Sequence, residues 1–403
     1  MNITGLITEY NPLHKGHIYH IQSSKEITNC DGVVCVMSGN FVQRGNPSII
    51  DKWSRAKVAL ECGIDLVIEL PLIYSLSSAE FFAFGAISLL DSLGIVNNIC
   101  FGSESGNIEE IMKISEILNR EPDEFKHLLK YYLDQGLSYP ICRHNALNQI
   151  LEDDVDINNI LKFSNNILAI EYCKSLLKLK SSITPFTIKR LGSSYNDNNL
   201  TSIFTSATSI RSYLKDTNNI EQLKKFMPLQ SFNMISKNFK NESLTFENSI
   251  FQYIKYKACT SINTLSNISD ASEGLHNKIY KSLISCNSYE ELITRIKSKR
   301  YSQTRINRIL CQYFIGLDQL GSSQMNQLRK SKAPYARVLG FNETGIKILK
   351  QMKDTSSIPV YIKLPRNLDP ILDLDILSTK AYSIINKNLS PDSDFKISPI
   401  RLF

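Results

Sequence analysis

Three of the six histidines in this chain, His14, His17 and His20, fall within one seven-residue span directly behind the apolar run Ile3 to Ile7. An apolar run followed by Asn11-Pro12 and Gly16 reads as a strand, a tight turn and a helix start. Side chains three positions apart share a helix face, so His14 and His17 point together toward the positive end of the helix dipole. That end attracts phosphate, and imidazoles there can stabilise the charge that develops as pyrophosphate leaves a nucleotide. Gly16 removes a side chain where adenine or ribose must approach the backbone. Two other readings use the same residues: a chance pair of surface histidines, and a metal pair completed by a distant carboxylate. The position behind the first strand, the intervening glycine and the Asn-Pro turn favour the nucleotide.

A second set lies far along the chain. Ser206-x-Thr208 offers two hydroxyls and free backbone amides at a helix start, and Arg211 adds a delocalised positive charge one turn later. Alone, this pattern is more often a helix cap; paired with the histidines it favours phosphate. Phe101-Gly102-Ser103-Glu104 ends a predicted strand on the edge where open parallel sheets bind ligands. Gly102 there lets a base or ribose pack on the main chain, although a turn glycine is the plain alternative. Asn165 opens a helix and could be only its cap, and Arg190 at a strand end is a candidate phosphate or adenine contact.

Cations supply a third set. Lys52, Arg55 and Lys57 lie on one short helix beside Trp53, either as a solvated face or as contacts to phosphate or nucleic acid. Arg295, Lys297, Lys299, Arg300, Arg305 and Arg308 follow one another with no acidic residue between, and Tyr301 among them offers a ring on which a base could stack. Such a run in a chain of net charge only +7 points to RNA. Ser38 to Gly45 is too polar and glycine-rich for a core and reads as a loop over substrate.

The elements that must position these groups are legible as alternating short apolar runs and amphipathic stretches, the pattern of βα units in a parallel sheet. Strands are predicted at Ile3–Ile7, Gly32–Ser38, Asp65–Leu70, Asn97–Phe101 and Thr184–Leu191, and helices at Gly16–Thr28, Asp51–Cys62 and Ser78–Leu93. Ser77-Ser78-Ala79-Glu80 is read as a capped start for the last of these, with Gly94 as its stop. A mostly helical stretch from Ile108 to about Lys180 and the polar loop Ser193 to Asn199 precede the Ser206 motif. Beyond it the chain reads as helices, then a small α/β element around Val338–Phe341, Val360–Ile362 and Ala381–Asn388.

At 403 residues two domains are expected, 1–220 and 221–403. The 42% hydrophobic and 21% charged composition is that of an ordinary globular protein, and no apolar run nears the ~18 residues of a membrane span. Nine scattered cysteines without a Cys-x-x-Cys pair read as free thiols in a reducing compartment, which disfavours structural zinc and points to the cytoplasm.

The motifs Glu9-Tyr10-Asn11-Pro12-x-His14-x-Gly16-His17, Met37-Ser38-Gly39, Gln43-Arg44-Gly45, Lys52-Trp53, Asp65 to Pro71, Phe101 to Glu104 and Ser206 to Arg211 resemble the bacterial tRNA(Met) cytidine acetate ligase family, within the nucleotidyltransferases that carry His-x-Gly-His. The resemblance reaches Lys299-Arg300-Tyr301 and so covers most of the chain. It implies a Rossmann-like nucleotidyltransferase domain with a parallel sheet, a mostly helical C-terminal region that binds tRNA, and a two-step ligase. Acetate would attack ATP to give acetyl-adenylate and pyrophosphate, and the wobble cytidine of elongator tRNA(Met) would take the acetyl group. His14 and His17 would be catalytic. The ATP site would comprise Ile7, Thr8, Glu9, Tyr10, Asn11, Pro12, Leu13, His14, Lys15, Gly16, His17, Ile18, Tyr19 and His20, with Gly102, Asn165 and Arg190. Ser206, Thr208 and Arg211 would hold pyrophosphate, and Mg2+ would accompany ATP without an identified protein ligand set. RNA contact would fall to Lys52, Arg55 and the basic C-terminal run, and no protein partner or membrane is implied. The absence of a Lys-Met-Ser-Lys-Ser segment disfavours the aminoacyl-tRNA synthetase version of this site. A small-molecule nucleotidyltransferase that passes AMP or CMP to a phosphorylated metabolite, and an RNA-binding protein that has lost catalysis, are the alternatives.

Overall fold

A computed structural model describes residues 1–151, 155–190, 205–298 and 300–403. The predicted strands form: β1 (Ile3–Thr8), β2 (Gly32–Ser38), β5 (Leu66–Leu70), β6 (Asn98–Ser103) and β7 (Thr184–Lys189). Between β2 and β5 a two-residue pair, β3 (Phe41–Val42) and β4 (Asn46–Pro47), makes a small antiparallel hairpin. Three further strands come late in the chain, β8 (Ala336–Asn342), β9 (Val360–Tyr361) and β10 (Ile400–Leu402). The main sheet runs β10-β8-β5-β2-β1-β6-β7, with β9 also on β8. Every pairing within this main sheet is parallel except β5 with β8.

β2 reads as an unbroken apolar run because both its faces are covered. Val34 and Val36 join one core with Ile3, Ile68, Leu89 and Leu90, whereas Val33, Cys35 and Met37 join another with Leu6, Trp53, Ala56 and Leu60. Odd and even residues thus serve opposite layers, as the pleat requires. The covering helices start where expected, at Lys15–Thr28, Lys52–Glu61 and Ala79–Ser92. Asp51 caps the second by accepting the Ser54 N–H at 2.9 Å. Ser78 occupies the cap position of the third but makes no side-chain capping bond.

Two features position the site. From β1 the chain moves to β2 and β5 on one side, then returns to place β6 on the other, so a crevice opens beyond the carboxyl ends of β1 and β6, where ligands bind in such sheets. The second departs from a clean division at residue 220. β8, β9 and β10 lie beyond it yet belong to the same sheet, with β8 antiparallel to β5, so the terminal α/β element is an extension of the first layer.

Candidate active site

The turn after β1 is built from backbone constraints. Tyr10 has φ of 46°, the Asn11–Pro12 peptide is cis, and Asn11 Oδ1 accepts the Ile49 N–H at 2.7 Å. The chain then enters the helix Lys15–Thr28 with His14 as its cap. His14 Nδ1 accepts the Gly16 N–H at 3.1 Å, and His17 Nδ1 accepts the N–H of His14 at 3.2 Å. This is a capping box written in imidazoles. The two rings stack with centroids 3.8 Å apart, and Tyr10 meets the His17 ring edge-on at 5.0 Å.

The hydrogen bonds fix the chemistry of the pair. A ring nitrogen that accepts cannot carry the proton, so each neutral ring bears it on Nε2. Burial, then the charges of Arg190 and Arg211, lower the His14 pKa to about 3. Burial first, and then His14, Arg190 and His20, hold His17 well below its ordinary value. Both are therefore uncharged donors at neutral pH. His20 differs, because its Nε2–H donates to the Cys100 carbonyl at 3.2 Å. Burial dominates there too and brings its pKa to about 4, against the pull of that carbonyl. Gly16 has a nearer task than admitting a nucleotide: a Cβ at this position would stand 2.9 Å from His14 Cε1, so its absence lets the imidazole cap close.

A cavity of about 420 Å³ faces this turn. Of the predicted ATP segment, Ile7, Thr8, Glu9, Tyr10, Asn11, His14, Gly16, His17, Tyr19 and His20 line it, and Pro12, Leu13, Lys15 and Ile18 do not. Leu13 and Ile18 pack into the core beneath, and Lys15 N–H donates to the Phe226 carbonyl at 2.9 Å. Across the cavity stand Gly102, Asn165 and Arg190, with Ser206 and Arg211 on a further wall. Ser206 is indeed a cap: its Oγ accepts the Ser209 N–H at 3.1 Å and begins the helix Ala207–Asp216, whose amino end opens on the cavity at Ala207. Arg211 donates from Nη1 to the Asn11 carbonyl at 2.6 Å and from Nη2 to Thr208 Oγ1 at 3.3 Å. Thr208 is not part of the lining, and its hydroxyl meets the cavity-lining Arg211 instead.

Several contributors escaped the sequence reading. Glu104 clamps the helix Ser164–Leu179: Oε1 accepts from Asn165 Nδ2 at 2.7 Å and Oε2 from the Asn166 N–H at 2.9 Å. Asn166 returns the favour by accepting the Glu104 N–H at 2.8 Å, so it, and not Asn165, closes the loop after β6. Gly102 and Arg190 are neighbours, since a Cβ on Gly102 would lie 3.1 Å from Arg190 Cγ. Gln43, Arg44, Tyr172, Lys189 and Thr304 also line the cavity. Glu104 had a signal in the Phe101–Glu104 motif, and Gln43 and Arg44 in the Gln43-Arg44-Gly45 motif and the loop read over substrate; Tyr172, Lys189 and Thr304 depend on tertiary contact.

Relatives are consistent along the whole chain. The HIGH nucleotidyl transferase family pattern matches residues 1–395. A tRNA(Met) cytidine acetate ligase of Clostridium novyi (strain NT) is 62% identical over 402 residues, 100% of both chains. The chain belongs to the tRNA(Met) cytidine acetate ligase family. Another member, from Clostridium tetani (strain Massachusetts / E88), is 52% identical over 99% of this chain and 100% of its own. The crystal structure of apo Thermotoga maritima TmcAL superposes with a TM-score of 0.92 at 32% identity, and that of TmcAL bound with alpha-thio ATP with 0.89 at 31%, each covering both chains fully.

In this member of the ligase family the expected RNA-contacting cations divide sharply. Lys52 is 0% exposed and lies 2.8 Å from both Glu69 Oε1 and Asp394 Oδ1. Arg55 is buried and spends its guanidinium on the carbonyls of Glu9, Ser38, Gly39 and Ile50. Arg308 is buried beside Asp270, 3.9 Å away. Burial removes these three from any RNA surface, and their work is to neutralise and bridge main chain. Arg305 bonds the Asp270 carbonyl at 2.9 Å and Ser272 Oγ at 3.1 Å. Lys297 is exposed, as is Arg300, which meets Glu273 at 3.0 Å. Lys299 lies outside the described residues, as does the polar loop Ser193 to Asn199. Tyr301 has the guanidinium carbons of Arg300 and Arg305 each 5.7 Å from its ring centre.

Proposed function

We propose that this chain is an ATP-dependent acetate ligase that forms N4-acetylcytidine at the wobble position of elongator tRNA(Met). One acetate oxygen attacks the α-phosphorus of ATP, pyrophosphate leaves, and the N4 amine of the cytidine takes the acetyl group from acetyl-adenylate with release of AMP. The observation that carries this reading is the stacked pair His14 and His17, neutral and bearing its protons on Nε2 beside a cavity at the switch point of the sheet. Neutral donors suit an α-phosphate whose negative charge increases on the way to the transition state, because their hydrogen bonds strengthen as that charge grows. In this reading Arg211 and the amino end of the helix Ala207–Asp216, which line the cavity, would receive the departing pyrophosphate, with Lys189 and Arg190 as further cations. Little covalent help from protein is required for such a displacement.

Mg2+ accompanies ATP in this reading. Among the described residues no group of three or more His, Cys, Asp or Glu gathers to hold a metal ion, and Glu9 is the one carboxylate along the cavity, so the nucleotide phosphates would supply most ligands. Residues 1–220 carry adenylation, and the region from 221 to 403 receives tRNA through exposed cations such as Lys297 and Arg300. The free cysteines fit a cytoplasmic enzyme; no helix among the described residues is long and apolar enough to cross a membrane.

The test is mass spectrometry of nucleosides after incubation with tRNA, ATP and isotopically labelled acetate. Labelled N4-acetylcytidine is expected. Its absence under conditions where ATP binds sinks the ligase reading, and AMP or CMP appearing on a phosphorylated metabolite instead would establish the small-molecule alternative.

A further inference from the structure

Glu9 is an anomaly in a cavity meant for anions. Among the described residues it is the single carboxylate in a lining that includes Arg44, Lys189, Arg190 and Arg211. A negative side chain there repels both a triphosphate and acetate, so its presence asks for a step in which a proton must be accepted. Its setting faces the other substrate. Glu9 Oε1 accepts the Gln43 N–H at 2.8 Å, which ties it to the β3–β4 hairpin, and Gln43 lines the same cavity. That hairpin is sewn in turn to the helix Gln303–Ile315: Asn307 Nδ2 donates to Asn46 Oδ1 at 3.1 Å, and Cys311 Sγ to the Gly45 carbonyl at 3.0 Å. Thr304, in the first turn of that helix, also lines the cavity, and the exposed cations Lys297 and Arg300 lie just before it in the chain. The carboxylate therefore stands on the wall that connects the nucleotide cavity to the basic segment.

We propose that Glu9 is the general base of the second half-reaction, an inference that rests on the acetyl-adenylate reading above. The lone pair of the cytidine N4 forms a bond to the carbonyl carbon of acetyl-adenylate, and the bond from that carbon to the phosphate oxygen breaks, so AMP leaves with the electron pair. The proton lost from N4 passes to the free carboxylate oxygen of Glu9 and from there to water. An exocyclic amine conjugated with its ring is a weak nucleophile, and removing its proton as the bond forms is where a positioned base accelerates the reaction.

Glu9→Gln separates this role from a structural one, because the amide oxygen still accepts the Gln43 N–H. Two rates are measured on the full-length protein: acetate-dependent ATP–pyrophosphate exchange without tRNA, and single-turnover transfer from synthetic acetyl-adenylate to tRNA. Transfer at saturating tRNA is expected to fall by about 10²–10³-fold and by a clearly larger factor than exchange, with an unchanged half-saturating tRNA concentration and partial recovery in Glu9→Asp. Equal losses in the two rates would make Glu9 part of nucleotide binding and overturn the assignment, as would wild-type transfer by Glu9→Gln. A wild-type protein inert in both assays would overturn the ligase reading itself, and this one with it.

Discussion

His14 and His17 are held by their own helix before any substrate arrives, and that has consequences at the scale of single residues. If the His17 Nε2–H stabilises the α-phosphate transition state, His17→Ala lowers acetate-dependent ATP–pyrophosphate exchange by about 10²–10³-fold and leaves tRNA binding close to wild type, which filter binding will read. His14 makes a second prediction through its pKa of about 3, far below the value of about 6.5 of an unfolded histidine. The unfolded chain takes up the proton first, so the stability is complete above pH 6.5 and drains away as pH falls from there toward 3. His14→Asn keeps a capping acceptor without the titration. Between pH 7 and 5 the ligand-free variant should lose about 1–2 kcal/mol less stability than wild type, measured by urea unfolding. Histidine spacing made this pair legible in the sequence. The tautomer was not, because it depends on which backbone N–H each Nδ1 meets, and Glu104 stayed unread because its partners Asn165 and Asn166 are some sixty positions away.

The strands and helices were legible because their apolar period is local. β2, with both faces buried, and the helix Lys15–Thr28 matched closely. The β3–β4 hairpin was read only as a polar loop, since two-residue strands carry no period. Yet this small element joins the two halves of the proposed reaction. Gly45 shows how tightly: its φ is 80°, and a Cβ there would stand 2.1 Å from the backbone nitrogen of Arg308. Gly45→Ala must strain its own backbone and push the helix Gln303–Ile315 away, at a cost of about 2–4 kcal/mol in urea unfolding. Wild-type stability in that variant would mean the hairpin and helix are not held together as described.

Across the whole molecule, charge patterning misled where burial decided. Lys52, on a helix with other cations, looks like a surface residue in sequence, but it meets Glu69 and Asp394, while Arg337 stands 3.3 Å from Glu69 and 2.8 Å from Asp394. This buried cluster fastens residues near both ends of the chain around β5 and β8. Removing one partner leaves charge unpaired, so Lys52→Ala is expected to cost about 3–5 kcal/mol of stability, seen as a lower thermal midpoint. A stable variant with weakened tRNA binding would restore the RNA role that burial denies. The sheet that this cluster braces carries the cavity lined by His14 and His17 at its switch point, and the claim that acetate is adenylated there has a direct test in the fate of oxygen. With acetate labelled at both oxygens by ¹⁸O, one turnover on tRNA should deliver one labelled oxygen to AMP, because that oxygen bridges carbon and phosphorus in acetyl-adenylate, and none to pyrophosphate. Acetylated tRNA accompanied by unlabelled AMP would contradict the account.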